Sequence, residues 1–190
     1  FEVGESETEK ALGFDPEAFS KAGNATCPFC GTVADSTYVK QEGNSGRLGY
    51  QPMAVAATAA GRAGKVYLPT CDSTVMVPDD GAVRARIAEI TAASGLTIPS
   101  EPIVNDAKGA LFCVLYGLRT WAEVFSPRQM LCMLTFAWAV HNAEREMRAA
   151  GYSDQCCRAV TTFVGDMVDK LADFSSVQCT WNYTGGRGVK

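Results

Sequence analysis

Apolar residues are spaced most regularly in the last third of the chain. Residues 126–129 (Ser-Pro-Arg-Gln) are typical of a helix start, with a capping serine, a proline at the first helical position and a glutamine three residues after the cap. We expect this helix to run to about Ala150 and end at Gly151, and a second helix to begin near Ser153 or Asp154. Apolar residues of the second helix recur at spacings of three and four: Val160, Phe163, Val164, Met167, Val168 and Leu171. Two such helices joined by a tight glycine turn are predicted to pack antiparallel, with this stripe as the apolar face.

A further helix is predicted upstream of this hairpin. Its apolar residues repeat at i, i+4 and i+7: Val83, Ile87 and Ile90. Asp79 or Asp80 is expected to cap its beginning, and Gly95 is expected to end it. The following residues, 96–110, contain two prolines and a glycine and are predicted to form an irregular linker.

The region before this helix shows strand and turn patterns. Residues 37–41 mix β-forming and polar residues and are predicted as a strand, followed by a loop over 42–46. Residues 51–58 and 65–68 flank a glycine-rich turn and predict a β-hairpin with a long loop, although the alanines leave a helix open as an alternative. Residues 1–26 are acidic and are expected to be mostly loop, with one short helical turn that begins at Pro16.

Taken together, these patterns predict an α+β fold, in which a small β unit precedes a helical region that ends in the antiparallel α-hairpin. The expected organisation has four parts. An acidic connection occupies 1–26, and half of a zinc ribbon with the β-hairpin occupies 27–70. A helix and linker follow over 71–110, and the α-hairpin region occupies 111–190.

Composition limits the class of protein. The 190 residues are 47% apolar, enough for one domain or two small ones, and no run of about 18 apolar residues predicts a membrane span. The 17 Lys and Arg against 21 Asp and Glu give a net charge of −4, so any nucleic-acid contact must use local basic surface or another part of the molecule. Eight cysteines are too sparse for a secreted disulfide scaffold, which favours reduced thiols in a cytoplasmic protein. A first residue other than Met suggests a piece of a longer chain.

The sharpest chemical motif is residues 27–31 (Cys-Pro-Phe-Cys-Gly). Cys27 and Cys30 can converge on one tetrahedral zinc ion, and the following glycine relaxes the backbone so that amides can point at sulfur. The chain contains one such pair, whereas a structural zinc site needs four ligands. Two alternatives stay open: a redox-active pair, and two cysteines without function. Cys71 is a weak candidate for a third ligand, and His141 is expected at a core or boundary position.

The remaining polar groups predict no catalytic site. Asp166, Asp169 and Asp173 share a helix face that is expected to be solvated, and Asp166 can pair with Lys170. One histidine and no nucleophile-elbow serine leave a catalytic triad unsupported. The other cysteines are expected to be core thiols, with one buried and one exposed member in the adjacent pair 156–157. Trp181 is expected to pack under the hairpin, with stacking on nucleic acid as the alternative.

Several segments occur in an order and spacing that together are specific. They are residues 25–31, 46–49 (Gly-Arg-Leu-Gly), 66–69 (Val-Tyr-Leu-Pro), 116–118 (Tyr-Gly-Leu), 121–125, 126–129, 169–173 (Asp-Lys-Leu-Ala-Asp) and 179–182 (Cys-Thr-Trp-Asn). With them the chain, from about Ala25 to Val189, resembles the large bacterial and archaeal adenine-specific DNA methylases that carry a zinc-ribbon insertion.

This resemblance implies a methyltransferase that moves a methyl group from S-adenosylmethionine to the exocyclic amino group of adenine. The family's Asp/Asn-Pro-Pro-Tyr/Phe motif and its glycine-rich cofactor motif are absent from this sequence. The resemblance therefore implies an internal, accessory region. The parent protein would supply a second cysteine knuckle, the S-adenosylmethionine site and an upstream methyltransferase domain. DNA is then the expected partner, and the candidate contacts are Lys40, Arg47, Arg62, Lys65, Arg128 and Arg187.

A second hypothesis comes from the apolar residues between Met130 and Val140. That segment is longer than one hairpin is expected to cover, which favours a module for protein interaction or homo-oligomer formation without catalysis of its own. A thiol redox protein that uses Cys27 and Cys30 is the third possibility.

Overall fold

The computed structural model describes residues 16–61, 64–72, 76–104, 112–182 and 188–189. For residues 181–182 and 188–189 it describes the backbone alone. The fold class is α+β, as the sequence predicts. The described residues form two compact units. Unit 1 lies within Phe1–Val77 and takes in Val114–Gly117, whereas unit 2 lies within Pro78–Cys113 and Leu118–Lys190.

Unit 1 opens with a small antiparallel sheet of strands β1 (Ser20–Lys21), β2 (Asn24–Thr26) and β3 (Val33–Ala34). A 3₁₀ turn over Pro16–Phe19 precedes it and confirms the helical turn predicted at Pro16. Residues 20–26 are therefore not the loop that their composition predicted. The chain reverses at Ala22 and Gly23, whose φ angles of 54° and 81° suit a tight hairpin turn and let β1 and β2 pair.

Helix α1 (Ser36–Asn44) corrects the strand predicted at 37–41 and the loop predicted at 42–46. Asp35 caps the helix, because its side chain accepts a hydrogen bond of 2.8 Å from the backbone N–H of Tyr38. The N–H of Ser36 donates to the side chain of Asn24 in β2 at 2.9 Å. These caps satisfy the first helical amides, and this outweighs the modest β preference of residues 37–39.

Helix α1 approaches the short segment Val114–Gly117 so closely that backbone touches backbone. A Cβ atom added to Gly43 would lie 2.2 Å from the carbonyl oxygen of Tyr116, and one added to Gly117 would lie 2.2 Å from that of Gly43. Gly117 also has a φ of 89°, which side-chain-bearing residues rarely adopt. The side-chain amide of Asn44 donates to the carbonyl of Leu115 at 2.9 Å. Both glycines are therefore required by this contact.

A β-hairpin of β4 (Ala54–Thr58) and β5 (Lys65–Pro69) completes unit 1 and confirms the predicted hairpin over its helical alternative. The strands pair antiparallel from Ala54 opposite Pro69 to Thr58 opposite Lys65. Side chains alternate between exposed and half-buried positions along β4 and along β5 as far as Leu68, as expected for strands with one covered face.

Unit 2 contains helices α2 (Asp80–Ser94), α3 (Pro127–Ala149) and α4 (Asp154–Phe174), which confirm the three predicted helices. Their predicted caps are present: Asp79 accepts from the N–H of Ala82, and Ser126 forms a reciprocal capping box with Gln129. A left-handed glycine, Gly95, ends α2. Residues 96–104 are irregular, with one bridge from Pro102 to Thr120, and β6 (Trp181–Asn182) pairs with β7 (Gly188–Val189).

The core of unit 2 lies between α2 and α3. Val83, Ile87 and Ile90 of α2 are buried against Met130 and Leu134 of α3. Leu96, Ala122, Phe125, Leu131 and Trp138 pack around this cluster. Across the part of the chain that the structure describes, no helix is long and apolar enough to cross a membrane.

The covered face of α4 differs from the predicted one. Cys157 is fully buried. Counted from Cys157, residues at spacings of four, four, three and four are half-buried on the side of α4 that packs on α3: Thr161, Gly165, Val168 and Ala172. Of the six residues predicted as the packed stripe, Val168 and Leu171 are half-buried, whereas Val160, Phe163, Val164 and Met167 are exposed. Small side chains let two helix axes approach closely, so α4 packs on α3 mainly through small residues and leaves Phe163 and Met167 outside.

Candidate metal-binding knuckle

The two cysteines of the sequence motif lie on a tight turn between β2 and β3. Thr26 and Val33 are paired across the two strands, so residues 27–32 form the connection. The backbone N–H of Cys27 donates to the carbonyl of Thr32, and the N–H of Gly31 donates to the carbonyl of Cys27, each at 2.9 Å. These two bonds close the turn and hold Cys30 on the same side as Cys27.

Gly31 is required by the conformation of the turn rather than by space. Its φ is 71°, in the left-handed region, and an added Cβ would meet no atom within 4 Å. A residue with a side chain would strain the backbone at this point, at a cost of about 1–2 kcal/mol. The glycine after the second cysteine, which the sequence pattern singled out, therefore has a structural reason in the geometry of the knuckle.

The surroundings of the Cys30 thiol favour its ionised form. Its Sγ lies 3.2 Å from Oγ1 of Thr32. Hydrogen bonds from the Thr32 hydroxyl, from the Thr32 backbone N–H and from the Cys27 side chain stabilise the thiolate and hold the pKa of Cys30 below its ordinary value. Cys30 is exposed and Cys27 is half-buried. A thiolate is the form that binds metal and the form that reacts as a nucleophile.

Thr32 makes a testable contribution to this pKa. We expect Thr32→Val to raise the pKa of Cys30, because the substitution removes the hydroxyl that stabilises the thiolate and keeps the backbone N–H. Alkylation of Cys30 should then be slower at neutral pH, and its rate profile should move to higher pH. Peptide-resolved alkylation across pH measures this, with the exposed Cys71 as internal reference and Thr37→Val as the control variant. An unchanged Cys30 profile would contradict the assignment.

The described residues bring two thiols together and no further ligand. No group of three or more His, Cys, Asp or Glu side chains able to hold a metal ion occurs among them. Cys71 is exposed, and His141, expected at a core or boundary position, is exposed on α3. The donor chemistry at Cys27 and Cys30 fits half of a tetrahedral zinc site, for which two more ligands are needed.

The basic residues proposed to contact DNA occupy different settings. Lys40 is half-buried on α1, and Lys65 is exposed at the start of β5. Arg47 is held by Glu42 in a two-point ion pair with N–O distances of 2.6 and 2.7 Å, which lowers the pKa of the Glu42 carboxyl. Arg62 and Arg187 lie outside the described residues.

Arg128, at the start of α3, bonds to its own unit. Its guanidinium donates to the carbonyl of Pro78 at 2.7 Å and lies 3.2 Å from a carboxylate oxygen of Asp80. Because Arg128 and Arg47 already have acidic partners, a phosphate would have to compete with those partners for them.

Outside the knuckle, a cavity in unit 2 is lined by apolar side chains. The cavity has a volume of about 230 Å³ and lies between α3 and α4, and its lining residues are Pro99, Phe125, Met130, Met133, Leu134, Ala137, Val168 and Ala172.

Asp166, Asp169 and Asp173 are exposed, as predicted, but Lys170 pairs with Asp173 at 2.9 Å rather than with Asp166. Of the remaining thiols, Cys113 and Cys157 are buried, whereas Cys132, Cys156 and Cys179 are half-buried. The side chain of Trp181 is outside the described part.

Comparisons of the chain with protein-family models, with curated proteins and with solved structures find no match. Its function therefore has to be inferred from the knuckle, from the charges around it and from the order of its sequence motifs. The contribution of Thr32 to the environment of the Cys30 thiol was not predicted from the sequence. The available signal was a hydroxyl residue two positions after the second cysteine, within reach of its sulfur.

Proposed function

We propose that this chain is the zinc-knuckle and helical accessory region of an S-adenosylmethionine-dependent, adenine-specific DNA methyltransferase. The observation that carries the proposal is the pair Cys27 and Cys30, held on one turn with a lowered Cys30 pKa and without a third ligand among the described residues. The ordered motifs that resemble adenine-specific DNA methylases supply the enzyme class.

Within this proposal, Cys27 and Cys30 hold one half of a structural zinc ion, and a second knuckle of the parent protein holds the other half. Zinc closes such sites with four ligands and contributes folding free energy when it binds. The ion would fasten the β1–β3 sheet to the part of the parent protein that provides the other knuckle. Binding requires both thiolates, so zinc affinity should fall as pH decreases through the pKa of Cys30.

Methyl transfer itself belongs to the parent protein in this proposal. Adenine must leave the duplex stack before its amino group can be reached, and a Pro-Pro-aromatic loop would hold the flipped base. The present sequence contains no adjacent prolines. Its own part is to assist DNA binding or target recognition. The candidate contacts are Lys40, Arg47, Arg62, Lys65, Arg128 and Arg187, of which Arg47 and Arg128 would exchange a carboxylate partner for phosphate.

The test uses the gene product that contains this chain. We expect one tightly bound zinc per chain and S-adenosylmethionine-dependent methylation of adenine in DNA. Cys27→Ser and Cys30→Ser should each lose the zinc, whereas Cys71→Ser, which removes an exposed thiol elsewhere in unit 1, should retain it. A gene product without bound zinc, or one that methylates no DNA, would overturn the proposal.

A further inference from the structure

Helix α4 has an apolar face that unit 2 leaves uncovered. Phe163 is 72% exposed and Met167 63%, and Val160 and Val164 are exposed beside them. Solvent exposure of single apolar residues is common, but four on consecutive turns of one helix form a patch of the kind that marks an interaction site. The patch lies about 100° around α4 from the small residues that face α3.

Helix α3 extends this patch. Phe136 is 52% exposed and follows Leu134, which is buried against α2, by two residues. Two residues correspond to about 200° of rotation, so Phe136 lies on the side of α3 that faces away from α2. In the antiparallel hairpin this is also the side on which the α4 patch lies. We call this combined surface the hairpin face: Phe136, Val160, Phe163, Val164 and Met167.

The charged side chains of α4 lie away from the centre of the hairpin face. Asp166, Asp169 and Asp173 are more than about 100° around the helix from it. Lys170 lies closer, at the border, where its ammonium group pairs with Asp173 and lies 4.7 Å from the centre of the Phe174 ring. No ionised group at the centre of the hairpin face would therefore repel an identical surface.

The residues along this side of α4 are spaced the same in both chain directions, with Lys170 taking part through its aliphatic stem. The series 156, 160, 163, 167, 170 and 174 has steps of four, three, four, three and four, centred on Gly165. An antiparallel second copy with its two-fold axis near Gly165 would place Phe163 against Met167 of the other copy. Cys156 would meet Phe174, and Val160 would meet the aliphatic stem of Lys170. The pattern is therefore self-complementary, as a two-fold interface requires.

We propose that the hairpin face is the interface of a homodimer, in which two α3–α4 hairpins form a four-helix bundle. The part of α4 from Cys156 to Phe174 is about 27 Å long. With α3 beside it, each helix about 10 Å wide, the interface on one copy would have a footprint of about 540 Å². Two copies would together cover about twice this footprint, which exceeds the roughly 1,000 Å² in total that a specific interface needs. This inference does not depend on the proposed methyltransferase function.

The test compares Phe163→Glu with the matched variant Thr162→Glu, which places the same charge at the neighbouring exposed position on the far side of α4. Sedimentation equilibrium of the 190-residue chain should show a dimer. Phe163→Glu should raise its dissociation constant at least about a hundredfold, because the charge enters the interface twice, and Thr162→Glu should change it less than about threefold. Circular dichroism should show the same helix content in all three proteins, and Met167→Glu should repeat the Phe163→Glu result.

Three outcomes would overturn the proposal. The first is a chain that stays monomeric at every concentration, and the second is a dimer that Phe163→Glu leaves intact. The third is a monomer whose hairpin face binds another segment of the parent protein. Zinc content and DNA methylation are measured in parallel for the same substitutions made in the gene product that contains this chain. Their loss would bear on the proposed enzyme function, whereas dimer dissociation with zinc retained would bear on the interface alone.

Discussion

Gly43→Ala should destabilise unit 1 by about 3 kcal/mol or more, at the upper end of the cost of overpacking. The added Cβ would lie 2.2 Å from the carbonyl oxygen of Tyr116 and 2.7 Å from its carbonyl carbon, and both are backbone atoms that cannot rotate away. Alanine is the better helix former by about 1 kcal/mol, which would favour the variant in an open helix. The clash is the larger effect, so the sign reverses.

The measurement has to report on unit 1 itself. Trp121, Trp138 and Trp181 all belong to unit 2, so tryptophan fluorescence is uninformative, and amide hydrogen exchange in α1 is the direct probe. Gly49→Ala is the control, because a Cβ at Gly49 meets nothing within 4 Å. Equal exchange protection of α1 in the two variants would show that α1 and Val114–Gly117 do not touch as described.

Ile90→Ala should destabilise unit 2 by about 3–4 kcal/mol, in the middle of the range for truncating a buried isoleucine. Ile90 is 1% exposed and lies in the cluster that joins α2 to α3. Truncation removes apolar burial and leaves a cavity, since the surrounding helices cannot collapse fully around the smaller side chain. Denaturant unfolding followed by helical circular dichroism measures the loss, because most of the helical residues are in unit 2.

Ile98→Ala is the matched control for Ile90→Ala. The substitution removes the same atoms in the same unit. The side chain of Ile98, however, is 40% exposed and lies on the irregular segment after α2. We expect a loss below about 1 kcal/mol there, since part of the side chain stays in water in both states. Comparable losses at the two positions would mean that α2 is not packed on α3 through Ile90.

The helices of unit 2 were predictable because their boundary signals are local. Asp79, Ser126 and Ser153 cap them in the structure, and each stands directly before a periodic apolar pattern in the sequence. Thr37, Tyr38 and Val39 favour β structure, which is why residues 37–41 predict a strand. That preference is weak, and the helix cap at Asp35 outweighs it.

The direction in which α4 packs could not be read from its hydrophobic pattern. The apolar stripe through Phe163 is the strongest periodic signal, yet α4 meets α3 through the small residues around Gly165. Periodicity identifies faces that avoid water, and it does not say whether a neighbouring helix or a separate molecule covers them. For the same reason, the sequence predicted an uncovered apolar surface at residues 130–140, whereas the structure has it on α4.

The candidate site was predictable in part. The spacing of Cys27 and Cys30, with Gly31 after them, is a local signal, and the turn between β2 and β3 has the geometry that this signal implies. The partners of Arg47 and Arg128 were not predictable in the same way. Both residues were chosen for charge alone, and whether a carboxylate lies within reach depends on how the neighbouring turns are placed.

The contact between α1 and Tyr116–Gly117 has a consequence for biosynthesis. About 70 residues separate Gly43 from Gly117, and all of α2 lies between them. A ribosome must therefore release the whole of α2 before unit 1 can gain its last segment. A shortened chain that stops at residue 77 would lose the backbone that closes against α1, and one that stops at residue 117 would leave α2 without α3, so no single cut in the chain separates the two units.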